Sequence, residues 1–375
     1  MSAPTCEPGP AAWFALGMSP RILLRQTILP FEMATPSVSI VITNYNYARF
    51  LGAAIKSALA LDWPAVEVIV VDDGSTDDSR VVAESFVAQG VLPLYLEHQG
   101  QAKAAQSGFI RCNGDWIVFL DADDTLDPSF IRSAAAVMTP GWAKIQCMMA
   151  AVGPSGEPTG RSFPRYRSDI TARLVRRLCL TTDAYPTPPT SGNLLSRSFL
   201  RNLFPLEAGM DRAIDSYFLS TAPFFGSVET IAKPLVNYRV HGANIGAQST
   251  FNVLRISEDL RRHLVRCDYA TRLCKTHGLT LPSERWRYGY YNLAMRLTSL
   301  RLSRSTHPIL ADTLVRACRD LAIAALRDQG LSTVRHVAML SWLVAVLLMP
   351  RSVVYRLASW RFAPPTRPSW LSKFL

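Results

Sequence analysis

Two short acidic runs carry the chemistry that matters most in this chain. Asp121-Ala122-Asp123-Asp124 follows the apolar stretch Trp116 to Leu120, and Asp72-Asp73 follows Val66 to Val71. On an extended segment, side chains two residues apart point to one side, so Asp121 and Asp123 share a face. Hard carboxylate oxygens hold Mg²⁺ or Mn²⁺, and such a cation lets an acidic cleft accept nucleotide phosphates that bare carboxylates repel. The competing account is a turn with solvated acids, because Asp favours turns and helix N-caps. That account suits Ser75 to Asp78, where Gly74 permits a tight turn and Ser75 or Thr76 can cap the next helix. It does not explain two acids side by side at a strand end. A carboxylate there can accept hydrogen bonds from a base or a ribose hydroxyl.

The elements that must position these residues alternate. Val38 to Thr43 is a β-branched run that reads as a buried strand, and Phe50, Leu51, Ile55 and Leu59 recur near a 3.6 period. Strand 66–71, helix 79–89, strand 92–96, helix 102–111 and strand 116–120 continue the pattern. Alternation with short turns predicts an α/β fold whose mostly parallel sheet is flanked by helices. Ligands of such sheets sit at the carboxyl ends of strands. Thr43-Asn-Tyr45, Asp72-Asp73 and Asp121 to Asp124 all fall there.

Beyond this half, 143–163 predicts a strand and a Gly/Pro-rich turn, 185–192 a loop lining the substrate, and 193–203 a helix. Residues 211–222 predict another helix, 228–238 a pair of short strands, and the chain after about Phe251 is helical and Arg-rich. The domain reading is a loosely ordered extension at 1–35, a catalytic domain at 36–250 and a basic helical region at 251–375.

The 375 residues carry a formal charge of +11, unevenly placed. From Leu281 onward there are 14 Lys and Arg against 4 Asp and Glu; before it, 26 against 25. A neutral front and a basic tail suggest two jobs, the tail facing something anionic. Seven cysteines, odd in number and without a CxxC pair, fit reduced thiols rather than a disulfide or zinc framework. Arg21 and Arg25 precede no long apolar run, so no secretory signal is predicted. Val337 to Met349 is the longest apolar run at thirteen residues, short of the ~20 a bilayer span needs. With Arg351, Tyr355, Arg356, Trp360, Arg361, Arg367, Trp370 and Lys373, segment 337–375 reads as interfacial, lying on an anionic membrane surface. The sequence thus predicts a cytoplasmic protein, peripheral at the inner face of the plasma membrane. No nucleic-acid-binding module accompanies the charge, and no nucleic-acid partner is predicted.

Taken together, several segments resemble the family-2 glycosyltransferases, an inverting group with a GT-A nucleotide-binding fold. The segments are Val38 to Asn46, Val70-Val-Asp-Asp-Gly-Ser-Thr-Asp77, Gly100 to Gly108, Phe119-Leu-Asp-Ala-Asp-Asp124, Ser191-Gly-Asn193, Asp215, and Leu235 to Asn244. The resemblance covers slightly over half of the chain. It implies transfer of a sugar from a nucleotide donor, UDP-sugars first among them, to a glycan or lipid-linked acceptor in cell-surface polysaccharide or glycolipid synthesis. Thr43, Tyr45 and Asp73 would bind the nucleoside with Asp72 nearby, and Lys103 would approach the base or diphosphate. Asp121 would contact ribose beside Ala122, Asp123 would ligate Mg²⁺ or Mn²⁺, and Asp215 would be the general base. His241 is placed to reach the metal or diphosphate, with Arg239 as a phosphate partner.

Two departures stand out. The family often has Glu before the base, where this chain has Ile214, and Asp211 is a rival one helical turn earlier. It often has Arg-Asn where this chain has Gln106-Ser107. The alternatives are a catalytically degenerate nucleotide-sugar-binding protein, another α/β nucleotide enzyme such as a nucleotidyltransferase, and nucleic-acid binding by the tail. The nucleotidyltransferase would want a Gly-rich phosphate loop after the first strand, and Thr43 to Ala48 has no Gly.

Overall fold

The β-branched runs pair as a parallel half-sheet. Strands β1 (Val38–Asn44), β2 (Val66–Asp72), β3 (Val91–Tyr95) and β4 (Trp116–Asp121) lie in the order β3-β2-β1-β4. Helices α1 (Ala48–Leu59), α2 (Ser79–Glu84) and α3 (Gln101–Arg111) return the chain between them. The computed structural model describes residues 35–207, 214–242, 250–363 and 366–368. Met1–Thr35 and Pro36–Leu375 are separate units, and everything below belongs to the second. The extension expected at 1–35 lies outside the described residues except for Thr35.

Side chains alternate between two cores because the strand period is two. Val41, Ile69, Val71, Ile117 and Phe119 pack on one face, Ile40, Ile42, Val68, Val70, Val118 and Leu120 on the other. Removing such a side chain from water contributes about 1.5–3 kcal/mol each. α3 lies so close to the first face that a Cβ on Gly108 would stand 2.2 Å from Val41 Cγ1 and 3.0 Å from Val71 Cγ2.

The second half continues with β5 (Thr125–Leu126), α4 (Phe130–Ala135), β6 (Trp142–Val152), β7 (Pro158–Phe163), α5 (Ala172–Thr182), β8 (Asn193–Ser196), α6 (Arg197–Leu203), α7 (Asp215–Phe225) and β9 (Ser227–Arg239). The sheet runs on as β4-β8-β6-β9-β5, with β7 beside β6. Here β4·β8, β6·β8, β6·β7 and β5·β9 are antiparallel and β6·β9 is parallel, so the whole sheet is mixed. The mostly parallel arrangement holds for its first four strands.

Three local expectations change. Asn193 to Ser196 is a strand, because Leu194 and Leu195 are both fully buried as it inserts between β4 and β6; the helix begins at Arg197, capped by the Ser196 hydroxyl. Residues 227–239 form one thirteen-residue strand. Pro234 lacks an N–H to donate, and β6 absorbs it with register shifts around Met148. The helix after Asp78 ends at Glu84, followed by a 3₁₀ turn at Val87–Gln89 and Gly90 at φ 89°.

The C-terminal region consists of α8 (Val253–Thr276), α9 (Tyr290–Leu302), α10 (Leu314–Ala325), α11 (Thr333–Leu348) and α12 (Arg351–Phe362). α9 is buried nearly all round and forms the axis of this bundle. Its Arg296, fully buried, donates to Asp312 at 2.9 Å and to Asp320 at 2.9 Å. Arg287 adds two bonds to Asp320 at 3.0 and 2.6 Å. No described helix is long and apolar enough to cross a membrane.

Candidate active site

The strand ends deliver their acids to one place. Thr43 and Asp121 are register partners on β1 and β4, and the Thr43 carbonyl accepts the Ala122 N–H at 3.2 Å. Ala122 is buried, while Asp121 keeps partial access to solvent. Gln101 Nε2, at the start of α3, donates to Asp121 Oδ1 at 2.6 Å. Asp123 Oδ2 lies 2.9 Å from Nε2 of His241, which is buried against the rings of Phe50 and Tyr47. Asp124 has a different job. It is 1% exposed and accepts from Ser191 Oγ at 2.7 Å and Arg239 N at 3.1 Å, tying the β4 end to β9.

Desolvation dominates the electrostatics. Burial, with the charges of Asp123 and Asp215 close by, pushes the Asp121 carboxyl up to about 8. Asp124 is pushed well up by burial and by Asp123 and Asp121. Crowded carboxylates that resist ionising together are what a divalent cation relieves. Carboxylate oxygens suit Mn²⁺ or Mg²⁺, and Asp123 with His241 at 2.9 Å offers two of the donors such an ion would need.

The nucleoside-side residues are placed differently. Tyr45 is 40% exposed and stacks on His98 with ring centroids 4.0 Å apart. His98 Nδ1 stands 2.9 Å from Asp73 Oδ2. Asp73 also accepts the N–H groups of Gln99 and Gly100 at 2.9 and 2.8 Å, which fixes the loop leading into α3. Asp72 accepts from Asn44 at 2.7 Å and from the Ser75 hydroxyl and N–H at 2.5 and 3.1 Å. Protein donors thus meet both acids and hold the wall that Tyr45 and His98 present. Lys103 is an exposed residue of α3. Arg239 spends Nε on the Asp123 carbonyl at 3.0 Å and Nη1 on the Pro154 carbonyl at 3.1 Å; these bonds brace the site from behind.

Asp215 opens α7 with partial access to solvent, and Ser216 Oγ donates to its Oδ1 at 3.3 Å. Burial raises its carboxyl, against the lowering charges of Arg266 and Lys144. Arg266, on α8, donates to Ser216 Oγ at 2.9 Å, so the C-terminal bundle reaches the candidate base. Ile214 is fully buried in the core with Tyr217 and Phe218. In this chain the position before the candidate base is a packing position. The rival Asp211, and Asn244, lie outside the described residues.

Sequence reading passed over Gln101, Ser191, His98, Lys144 and Arg266. Gln101 and Ser191 stand inside motifs that resemble the family, so their polarity beside the acidic run was available as a signal. Lys144 sits in an apolar strand and Arg266 among many helical arginines, where nothing local marks them. Among the described residues, Asp183, His263 and Cys267 are the one group of three ligand-type side chains whose ligand atoms all lie within 4.8 Å of one another. Arg285, 2.7 Å from Asp183, already answers that carboxylate's charge, so the group is a buried polar bolt between α5 and α8.

The chain resembles known proteins where this geometry lies. Residues 39–203 match the family model described as Glycosyl transferase family 2. An uncharacterized glycosyltransferase of Nostoc sp. is 32% identical over 215 residues, 55% of this chain and 66% of that protein. EpsH of Bacillus subtilis is 25% identical over 224 residues, 57% and 63% of the two chains. The chain therefore spans about two thirds of the length of these curated relatives. The succinoglycan biosynthesis protein ExoO of Rhizobium meliloti is 37% identical over 98 residues, 26% of this chain and 30% of that one. In fold, S. aureus TarS 1–349, crystallised with UDP-GlcNAc, aligns with a TM-score of 0.52 at 17% identity, covering 86% of this chain and 90% of that one. The matched segment, which holds the parallel strands and the acidic ends built above, is a glycosyltransferase family 2 domain.

Proposed function

We propose that this protein transfers a sugar from a nucleotide-diphosphate donor to an acceptor hydroxyl with inversion at the anomeric carbon. The observation that carries the reading is the convergence of Asp121, Asp123 with His241, and Asp215 on one partly open, strongly desolvated site. Asp215 takes the proton of the acceptor hydroxyl as its oxygen attacks the anomeric carbon. The bond from that carbon to the diphosphate breaks on the opposite face, and the electron pair leaves with the phosphate. General base assistance of this kind is typically worth ~10²–10⁴-fold. Asp123, with His241 and Asp121, would hold Mg²⁺ or Mn²⁺, which when bound offsets the charge of the departing diphosphate. Tyr45, stacked on His98, offers an aromatic face to the nucleoside base, and Thr43 and Gln101 orient Asp121 toward ribose.

UDP-sugars come first among donors, supported by the UDP-GlcNAc complex of TarS, which shares the fold. A role in cell-surface polysaccharide synthesis is supported by the likeness to ExoO. For a peripheral membrane location, the support is the exposed face of α11 and α12: Val337, Val344, Leu348 and Tyr355 stand out beside Arg351 and Arg356.

The test is release of nucleotide diphosphate from a panel of nucleotide-sugars with Mn²⁺ or Mg²⁺, and with EDTA, Asp123→Ala and Asp215→Ala as controls. Metal-dependent turnover of one donor, lost in both variants, is the expected result. Donor binding without turnover, even with membrane-extracted acceptors, would favour a degenerate binding protein.

A further inference from the structure

His98 places a flat nitrogen heterocycle between an aromatic face and a buried acid. Its ring stacks on Tyr45 with centroids 4.0 Å apart and planes 21° from parallel. Its Nδ1 stands 2.9 Å from Asp73 Oδ2 and 3.1 Å from the Asp73 carbonyl oxygen. Both oxygens are acceptors, so Nδ1 carries the hydrogen and donates it. The Asp73 side chain is 4% exposed, whereas that of His98 is 41% exposed.

The backbone under the imidazole is fixed without it. Gln99 N and Gly100 N donate to the Asp73 carboxylate at 2.9 and 2.8 Å, and Leu96 N donates to the Asp72 carbonyl at 2.8 Å. Gly74, at φ 76°, lets this loop come close, since a Cβ there would stand 2.8 Å from His98 N. Nε2 has no hydrogen-bond partner among the described residues. The ring can therefore turn away about its own side-chain bonds while the loop stays in place.

The position matters for a nucleotide. Asn44 and Asp72 are register partners on β1 and β2, and Thr43 and Asp121 on β1 and β4. Neighbouring strands lie ~4.8 Å apart, so the ends of β2 and β4 are separated by roughly 10 Å. A nucleoside bridges that gap with its phosphates toward Asp121 and Asp123 and its base toward Tyr45 and Asp73. Aromatic side chains stack bases through their faces. With His98 on Asp73 Oδ2, a base reaches that carboxylate by taking the place of the imidazole.

We propose that His98 is a stand-in for the nucleobase of the donor: the base displaces the imidazole from Tyr45 and gives Asp73 the N–H that His98 withdraws. The exchange is matched for a base with a ring N–H at that edge, as uracil and guanine have. Cytosine and adenine present a lone pair there. His98 thus holds donor affinity down and makes the N–H a condition of entry. Calling the ligand a donor rests on the transferase reading.

The full chain is titrated calorimetrically with UDP in the presence of Mn²⁺. His98→Ala is expected to bind UDP about three- to tenfold more tightly, the size of one lost aromatic pair. His98→Phe, which keeps a ring but has no N–H for Asp73, gains less. CDP binds the unaltered chain about tenfold or more weakly than UDP. Nuclear magnetic resonance of ¹⁵N-histidine protein follows the ring itself, His98 being identified by its absence from His98→Phe. Saturating UDP moves that resonance to the position of a solvent-exposed imidazole. Equal or weaker UDP binding by His98→Ala overturns the proposal, because a platform built of both rings loses affinity on truncation. So does a His98 signal that stays hydrogen-bonded under UDP, or CDP bound as tightly as UDP. In those three outcomes the donor reading stands; no nucleotide bound by either chain overturns both.

Discussion

His241 Nε2 and Asp123 Oδ2 stand 2.9 Å apart, joining the loop after β4 to the residue pair that follows β9. The contact spans 118 positions of sequence and is framed by Phe50 and Tyr47. If the pair holds the cation, the two substitutions have different signatures. Asp123→Ala abolishes nucleotide diphosphate release at any Mn²⁺ concentration. His241→Ala leaves a residual activity whose half-saturating Mn²⁺ rises ~10–100-fold, the usual size of losing one supporting group. A Mn²⁺ titration of both variants checks this; equal half-saturation in His241→Ala and the unaltered protein would remove His241 from the site.

Asp215 sets an expectation for pH. Burial raises its carboxyl above the ordinary range of ~3.9. A general base works ionised, so activity is low in acid and rises with pH through that raised value. Arg266 lowers it through its positive charge. Arg266→Met therefore moves the acid limb of the kcat/KM profile to higher pH while leaving the plateau shape unchanged. A limb in the same place in both proteins would sink the assignment of Asp215 as the titrating base.

The strand ends were legible because burial and chemistry coincide there. Val38 to Thr43 and Trp116 to Leu120 are apolar runs that stop at polar residues, and the sheet places those stops side by side. The strand Asn193–Ser196 was not legible, since four residues carry no readable period and only insertion between β4 and β6 makes them extended. Strand alternation set Asp123 apart from Asp124, but what holds each acid was not legible. Asp124 and Asp123 are neighbours of one type, yet one is sealed by Ser191 and Arg239 and the other faces His241. Those partners lie over 60 positions away, beyond the reach of a local reading.

The C-terminal bundle turns on Arg296, and its removal is expected to be costly. The guanidinium is fully buried and shared by Asp312 and Asp320. Burial alone would raise the Asp312 carboxyl, but His307 and Arg296 outweigh it and hold it well below the usual range. Arg296→Met takes the guanidinium from buried Asp312, leaving it His307, and leaves Asp320 to Arg287 alone, and should destabilise the fold by about 3–5 kcal/mol. A depressed carboxylate contributes stability above its unfolded value, and that contribution is lost as pH falls through the acid range. The unaltered protein should thus lose stability steeply below about pH 4, and Arg296→Met should flatten that dependence. Urea unfolding at pH 7 and at about pH 2.5, below the unfolded carboxylate value, measures both effects.

Lys144 carries the opposite sign. It lies on β6 with no exposed surface; its Nζ donates to Thr187 Oγ1 at 2.6 Å and lies 5.2 Å from the Tyr185 ring centroid. Burial pulls the ammonium down to about 7, against the favourable charge of Asp215. The unfolded chain keeps a lysine protonated to ~10.4. Between these values the unfolded state binds more protons, so stability rises as pH climbs through 7 and beyond. Below pH 7 the fold holds a buried charge that a methionine would not bring. Lys144→Met should therefore stabilise the protein by about 1–4 kcal/mol at pH 6, with a smaller gain at pH 9. The same change removes a charge that lowers Asp215, so its acid limb of activity should shift upward as in Arg266→Met. A variant more stable in acid but with its pH profile unmoved would separate Lys144 from the base and leave it as a bolt for the loop at Thr187. A variant less stable at both pH values would show that the ammonium is held more favourably than its burial implies.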